Sequence, residues 1–222
     1  MDTLKKWLPE GGVRITLACH SGGGSFLFGF IDGGDAIPDE VDRIVFLDAN
    51  YSFSDADKHG EKLLAWMKAD SNHRLIVIAY DDRKIEIEAK PIIGPTGGTF
   101  RATERMSAFF TQHLKWDETK RGEFTTRTSP GSQLALAVHA NPQNKVLHTA
   151  LVGEFNGLLQ GLTIEDPKPA WGTFGERQSQ GGHRSHARLS VRRQRRRLCA
   201  CADEYCNGGT HRGSVRLFAA DP

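Results

Sequence analysis

Ile15-Thr16-Leu17-Ala18-Cys19-His20-Ser21-Gly22-Gly23-Gly24, followed at once by Ser25-Phe26-Leu27-Phe28-Gly29-Phe30-Ile31, decides how the chain folds. An apolar run stops at a serine flanked by small residues, glycines let the chain reverse, and helical spacing begins. That order places the Ser21 hydroxyl at the tip of a tight strand-to-helix turn. The backbone N–H of Gly22 would stand beside it at the helix start. One bend would then supply both a nucleophile and a donor for a developing oxyanion.

Working outward, apolar runs over 13–19, 43–47 and 75–80 recur at regular spacing, the second ending in Asp48 and the third in Asp81-Asp82. Each is a near-continuous Ile/Val/Leu run, the pattern of strands buried on both faces of a parallel sheet. Helical spacing fills the gaps: 24–31, then 56–68 with Leu63, Leu64 and Met67 on one face and Trp66 beside them. A third helix is expected over 99–116, with Met106, Phe109, Phe110 and Leu114 inward and Thr99 or Thr103 as caps. Residues 134–139 read as a fourth strand, 146–162 as a closing helix, and the polar stretch 125–133 as a surface loop. Alternating strand and helix predicts an α/β fold, a parallel sheet with flanking helices.

Cys19-His20-Ser21-Gly22-Gly23 resembles the nucleophile elbow G-x-S-x-G of the α/β-hydrolase family, with Cys19 in place of the first glycine. The resemblance covers roughly residues 13–165, the second half of such a fold. It implies a serine hydrolase acting on a small-molecule ester or amide, with no cofactor and no metal. The family's chain order of serine, acid, histidine is available here. His148 lies in a loop running into the last helix, where the family keeps its histidine, and a surface histidine is the bland alternative. For the acid, Asp82 stands first, then Asp81, with Asp48 close behind. Asp81 and Asp82 end the strand that more often carries the acid, and Asp48 resembles the position used by the pancreatic-lipase branch. A strand-end or capping aspartate is the alternative for each, and Arg83 would make Asp82 a plain ion pair. His20 is expected to pack or to bind a supporting group. His59, His73, His113 and His139 read as solvated or core residues.

The family also places several strands ahead of the nucleophile strand, whereas only about a dozen residues precede Val13. A partial fold with weak or absent activity is therefore expected, its first strand an exposed edge prone to self-association. A non-catalytic α/β module that binds a small molecule or a partner chain is the rival reading.

The net charge of +2 hides an asymmetry, because residues 176–222 hold ten arginines and no lysine against four acidic residues. Without apolar periodicity, that tail reads as disordered, a segment distinct from the 1–175 domain. Its composition is that of an out-of-frame reading of a G/C-rich gene, with the frame lost near Gly175. The arginine block lacks the interleaved aromatics of a nucleic-acid module, so a nucleic-acid partner is not expected. Cys199, Cys201, Cys206 and His211 have a zinc-like ligand count but the wrong first spacing. Gly22-Gly23-Gly24 departs from the phosphate-binding patterns. No run approaches the roughly 18 apolar residues that span a bilayer. The amino terminus is no secretory signal, and Cys19 alone in the body with Cys199, Cys201 and Cys206 crowded in the tail is no disulfide framework, so a reducing, cytoplasmic setting is expected.

Overall fold

The computed structural model describes residues 13–163, and beyond them the backbone of Arg197–Ala202 and Arg216–Phe218. The arginine block up to Arg196, Cys206, His211 and the proposed frame break at Gly175 lie outside the described residues. The expectation of an unpacked tail falls largely there too.

Four apolar runs become the strands β1 (Arg14–His20), β2 (Val41–Leu47), β3 (Arg74–Tyr80) and, after the intervening elements, β8 (Leu134–His139). They lie side by side in that order, every pair parallel. Every residue of β2 is buried, and so is all of β3 but its first residue, as their continuous apolar character requires. Side chains alternate between two cores. On one face Ile15, Ile44, Phe46, Leu75, Val77 and Leu136 pack beneath α1 (Gly23–Asp32), α2 (His59–Ala69) and α3 (Thr99–Thr111). On the other, Val45, Leu47, Ile76, Ile78 and Ala137 meet Leu151, Leu158 and Leu162 of α4 (His148–Val152) and α5 (Gly157–Thr163). The result is the expected α/β architecture, a largely parallel sheet between two helical layers. Each fully buried branched side chain contributes about 1.5–3 kcal/mol. Among the described residues no helix is long and apolar enough to cross a membrane.

The structure departs from the sequence reading in four places. First, 125–133 is not simply a loop: Asp117–Arg121 (β6) and Phe124–Thr128 (β7) form a hairpin that adds antiparallel strands beside β8. Phe124 is buried, Gly122 takes the positive φ of the turn (57°), and β-branched threonines favour the extended chain. Second, the closing helix is two helices. Gly153 and Asn156 (φ 48°) break it, and Gly157 lets α5 start where a Cβ would stand 2.5 Å from the Leu151 carbonyl oxygen. Third, α3 stops at Thr111 rather than running to Trp116, whose indole N–H donates to Thr111 Oγ1 at 2.8 Å. Fourth, β1 is not an open edge: Arg197–Ala202 (β9) pairs with it in parallel, and Arg216–Phe218 (β10) pairs antiparallel with β9. The run Leu198-Cys199-Ala200-Cys201-Ala202 is apolar and small, a strand signal masked by the arginines before it. A two-stranded flap, β4 (Glu86–Ile87) and β5 (Lys90–Pro91), rises between β3 and α3.

Candidate active site

Because β1, β2, β3 and β8 are parallel, their carboxyl ends share one edge of the sheet, the edge where open α/β sheets bind ligands. Ser21 follows β1, Asp48 follows β2, Asp81 and Asp82 follow β3, and His148 opens α4 after the loop from β8. Topology alone gathers every candidate residue there.

Ser21 sits in the left-handed backbone region, φ 54°, between the last residue of β1 and the Gly22 N-cap of α1. That conformation is uncommon for a residue with a side chain and costs of order 1 kcal/mol or more. The turn is closed by Gly24 N–H donating to Ser21 O (3.0 Å) and Ser25 N–H donating to Gly22 O (3.1 Å). The Gly22 N–H takes no part in those two bonds. Gly24 is where α1 meets the chain leaving β2. A Cβ built there would lie 1.6 Å from the Ala49 carbonyl oxygen, so only glycine lets the helix start so close to the sheet edge.

His148 and Asp48 form a close polar pair at this edge. His148 Nδ1 lies 2.5 Å from Asp48 Oδ2, with the Asp48 side chain 6% exposed and the imidazole 33% exposed. With Nδ1–H donating to a buried carboxylate, the neutral ring carries its lone pair on Nε2, the arrangement of a general base held by an orienting acid. Asp48 is itself strained, at φ 46°. His20 supports the ring from the serine side: the two imidazoles are 4.3 Å apart at 33°, and His20 Nε2–H donates to the His148 carbonyl at 3.1 Å. His20 thus lies as a tilted ring against His148, next in the chain to the serine turn. Among the described residues no hydrogen bond joins the Ser21 hydroxyl to His148.

The other two aspartates are engaged differently, against the ordering expected from the sequence. Asp82 does not contact His148, nor does it pair with Arg83. It is 3% exposed and accepts the Thr99 N–H at 2.8 Å. Burial raises its carboxyl above the usual carboxylate range, with the Asp48 charge adding to the effect. Asp81 is the residue that binds Arg83, through two bonds of 2.8 and 2.6 Å, and that guanidinium holds its carboxyl low. The strand-end residue bonded to His148 is therefore Asp48. Burial also keeps the Tyr80 phenol protonated, helped by the charge of Asp48.

Two residues matter here that the sequence reading did not credit. Thr99, expected to cap α3, makes no capping bond; its hydroxyl donates to Asp48 Oδ1, and the helix instead receives Asp82 on its first N–H. Asn141, at φ 46°, braces the loop that presents His148. Its Nδ2 donates to Asp81 O and Lys145 O at 2.9 Å each, and its Oδ1 accepts the Lys145 N–H at 3.0 Å. An asparagine in a Pro-flanked turn was the available signal. Asn141→Ala is expected to destabilise the fold by about 3 kcal/mol, from three lost bonds plus the strained φ, and Asn141→Gly by visibly less. Urea unfolding midpoints of the two variants check this, and equal midpoints would contradict it.

Three other described histidines have structural partners. His59 bonds Asp32 at 2.9 Å and stacks on Phe28, His73 stacks on Trp66, and buried His139 bonds Glu123 at 2.8 Å. Among the described residues no cluster of His, Cys, Asp and Glu is arranged to hold a metal ion. Comparison of the chain with family models, with curated proteins and with solved structures gives no match in any of the three.

Proposed function

We propose that the chain is a serine hydrolase of the α/β-hydrolase type that cleaves a small-molecule ester. One observation carries the reading. A serine held at positive φ in a strand-to-helix turn adjoins His20, whose ring lies tilted against an imidazole bonded at 2.5 Å to a buried aspartate. His148 Nε2 takes the Ser21 proton as Oγ attacks the ester carbonyl carbon. The Gly22 N–H receives the oxyanion of the tetrahedral intermediate. Collapse breaks the carbonyl carbon–alkoxide bond, and the departing alkoxide takes the proton from His148. Water, deprotonated by the same nitrogen, then releases the acid and restores Ser21. Asp48 keeps Nδ1 protonated and stabilises the imidazolium that forms between steps. Phe26, Tyr51 and Val146, exposed on segments that follow Ser21, follow Asp48 and precede His148, favour an ester with an apolar part.

An activated aryl ester tests this without needing fast turnover. The expected result is a burst of about one equivalent of phenol per chain, absent in Ser21→Ala. A burst that persists in Ser21→Ala would contradict the reading. The rival, a non-catalytic α/β binding module, is favoured by the missing Ser21–His148 hydrogen bond, although such bonds often close only when substrate arrives. It predicts no burst at all from folded wild-type protein.

A further inference from the structure

Two carboxyl groups from neighbouring strand ends converge on one hydroxyl. Thr99 Oγ1 donates to Asp48 Oδ1 and lies 3.4 Å from Asp82 Oδ2, the oxygen that also accepts the Thr99 N–H. A threonine hydroxyl has a single proton, and Asp48 takes it. Gly98 seals the other side. At φ 90°, a Cβ there would stand 2.4 Å from Asp82 Oδ2, so the loop entering α3 is fitted around that carboxyl group. Asp82 Oδ1 is buried with no hydrogen-bond partner. An unpartnered oxygen is tolerated beneath the surface far better on a neutral acid than on an anion. We propose that Thr99 and Asp82 form a positioning unit for the Asp48–His148 pair, with Asp82 held as the neutral acid and Asp48 the only carboxylate at the shared hydroxyl.

Every group facing Asp82 is consistent with that assignment or too weak to reverse it. From β2 comes the Asp48 charge, and from β3 the Tyr80 phenol, which is itself held protonated. From its own segment, Arg83 is committed to Asp81. From α3 come only the N–H groups of Thr99 and Phe100, which with the Asp82 N–H favour the anion but are outweighed by burial. His148 on α4 reaches Asp82 only through Asp48. Thr99 in turn fixes Asp48: its hydroxyl occupies Oδ1 and leaves Oδ2 for the imidazole.

The test has two arms, one of which rests on the serine-hydrolase reading and one of which does not. In the first, the rate of fluorophosphonate labelling is compared across folded full-length variants. Thr99→Val is expected to slow labelling about tenfold or more, whereas Thr99→Ser restores it and Asp82→Asn stays within about threefold of wild type. Thr99→Ser and Asp82→Asn decide this arm if Thr99→Val does not fold. A slow Asp82→Asn, or Thr99→Val labelled at the wild-type rate, overturns the proposal.

The second arm follows melting temperature against pH for wild type and Asp82→Asn. The folded-state carboxyl of Asp82 titrates above its unfolded value, so its contribution is fully present below the ordinary aspartate range. It is lost as pH rises through the higher folded value. Asp82→Asn does not titrate, so its melting temperature should gain on wild type as pH rises above the ordinary aspartate range. A gap that is flat, or that shrinks with rising pH, overturns the neutral-acid assignment. If wild type takes no label, the hydrolase reading fails and the melting series alone decides the state of Asp82.

Discussion

Asp48→Asn is expected to slow acylation of Ser21 by about 10⁴-fold while leaving the fold intact. The amide matches the carboxylate in size and its oxygen can still accept, but it carries no charge. It also permits the imidazole to turn its proton outward, and Nε2, the nitrogen proposed to take the Ser21 proton, would then carry hydrogen instead of a lone pair. The loss corresponds to about 5.5 kcal/mol of transition-state stabilisation. Asp81→Asn should change almost nothing, because Asp81 spends its charge on Arg83 near the surface, where such pairs are worth little. Labelling rates for the two variants, each with a circular dichroism spectrum matching wild type, check the assignment. Were Asp81→Asn the damaging change, the pairing of His148 with Asp48 would not be the functional one.

Gly24→Ala is expected to cost about 3–5 kcal/mol of stability, the largest effect of any single methyl group added at this edge. The new carbon would fall 1.6 Å from the Ala49 oxygen and 2.7 Å from its carbonyl carbon, and both are backbone atoms that cannot swing aside. Relief requires α1 to move away from the chain leaving β2. That motion would uncover Leu27, Phe28 and Ile31, which α1 buries against the sheet, and would shift the turn that holds Ser21. A control is close at hand. Gly29, on the same helix, has nothing within 4 Å of its missing Cβ, so Gly29→Ala should be neutral or slightly stabilising. Urea unfolding of the two variants separates the explanations, since helix propensity alone would favour both.

The parts of the fold that could be read in advance were those with continuous apolar runs and glycine punctuation. The four central strands, α1, the inner stripe of α2 and the turn at Ser21 all carry their pattern locally. The hairpin of β6 and β7 was hidden because it is polar: all five residues of β6 are exposed, and only Phe124 of β7 is buried. The break between α4 and α5 was hidden because Gly153 and Asn156 fall within a stretch of helical spacing. At the candidate site, His148 could be picked out from chain order, but the carboxylate bonded to it could not. Asp48, Asp81 and Asp82 are equivalent in sequence, each ending an apolar strand. Two tertiary facts distinguish them. Arg83 turns back onto Asp81, and α3 docks with its first N–H on Asp82 and the hydroxyl of the same residue on Asp48. Thr99 looked like a helix cap because a threonine at a helix start usually is one. Its hydroxyl serves Asp48 because Asp82 already supplies the helix with its cap.

The measurement closest to the central claim is peptide mapping after reaction with a fluorophosphonate, on wild type and His148→Ala in parallel. One phosphonylated residue is expected, Ser21, with labelling slower by about 10³-fold or more in the histidine variant. Folded wild-type protein that takes no label, that takes it elsewhere, or that is labelled equally fast without His148 would contradict it.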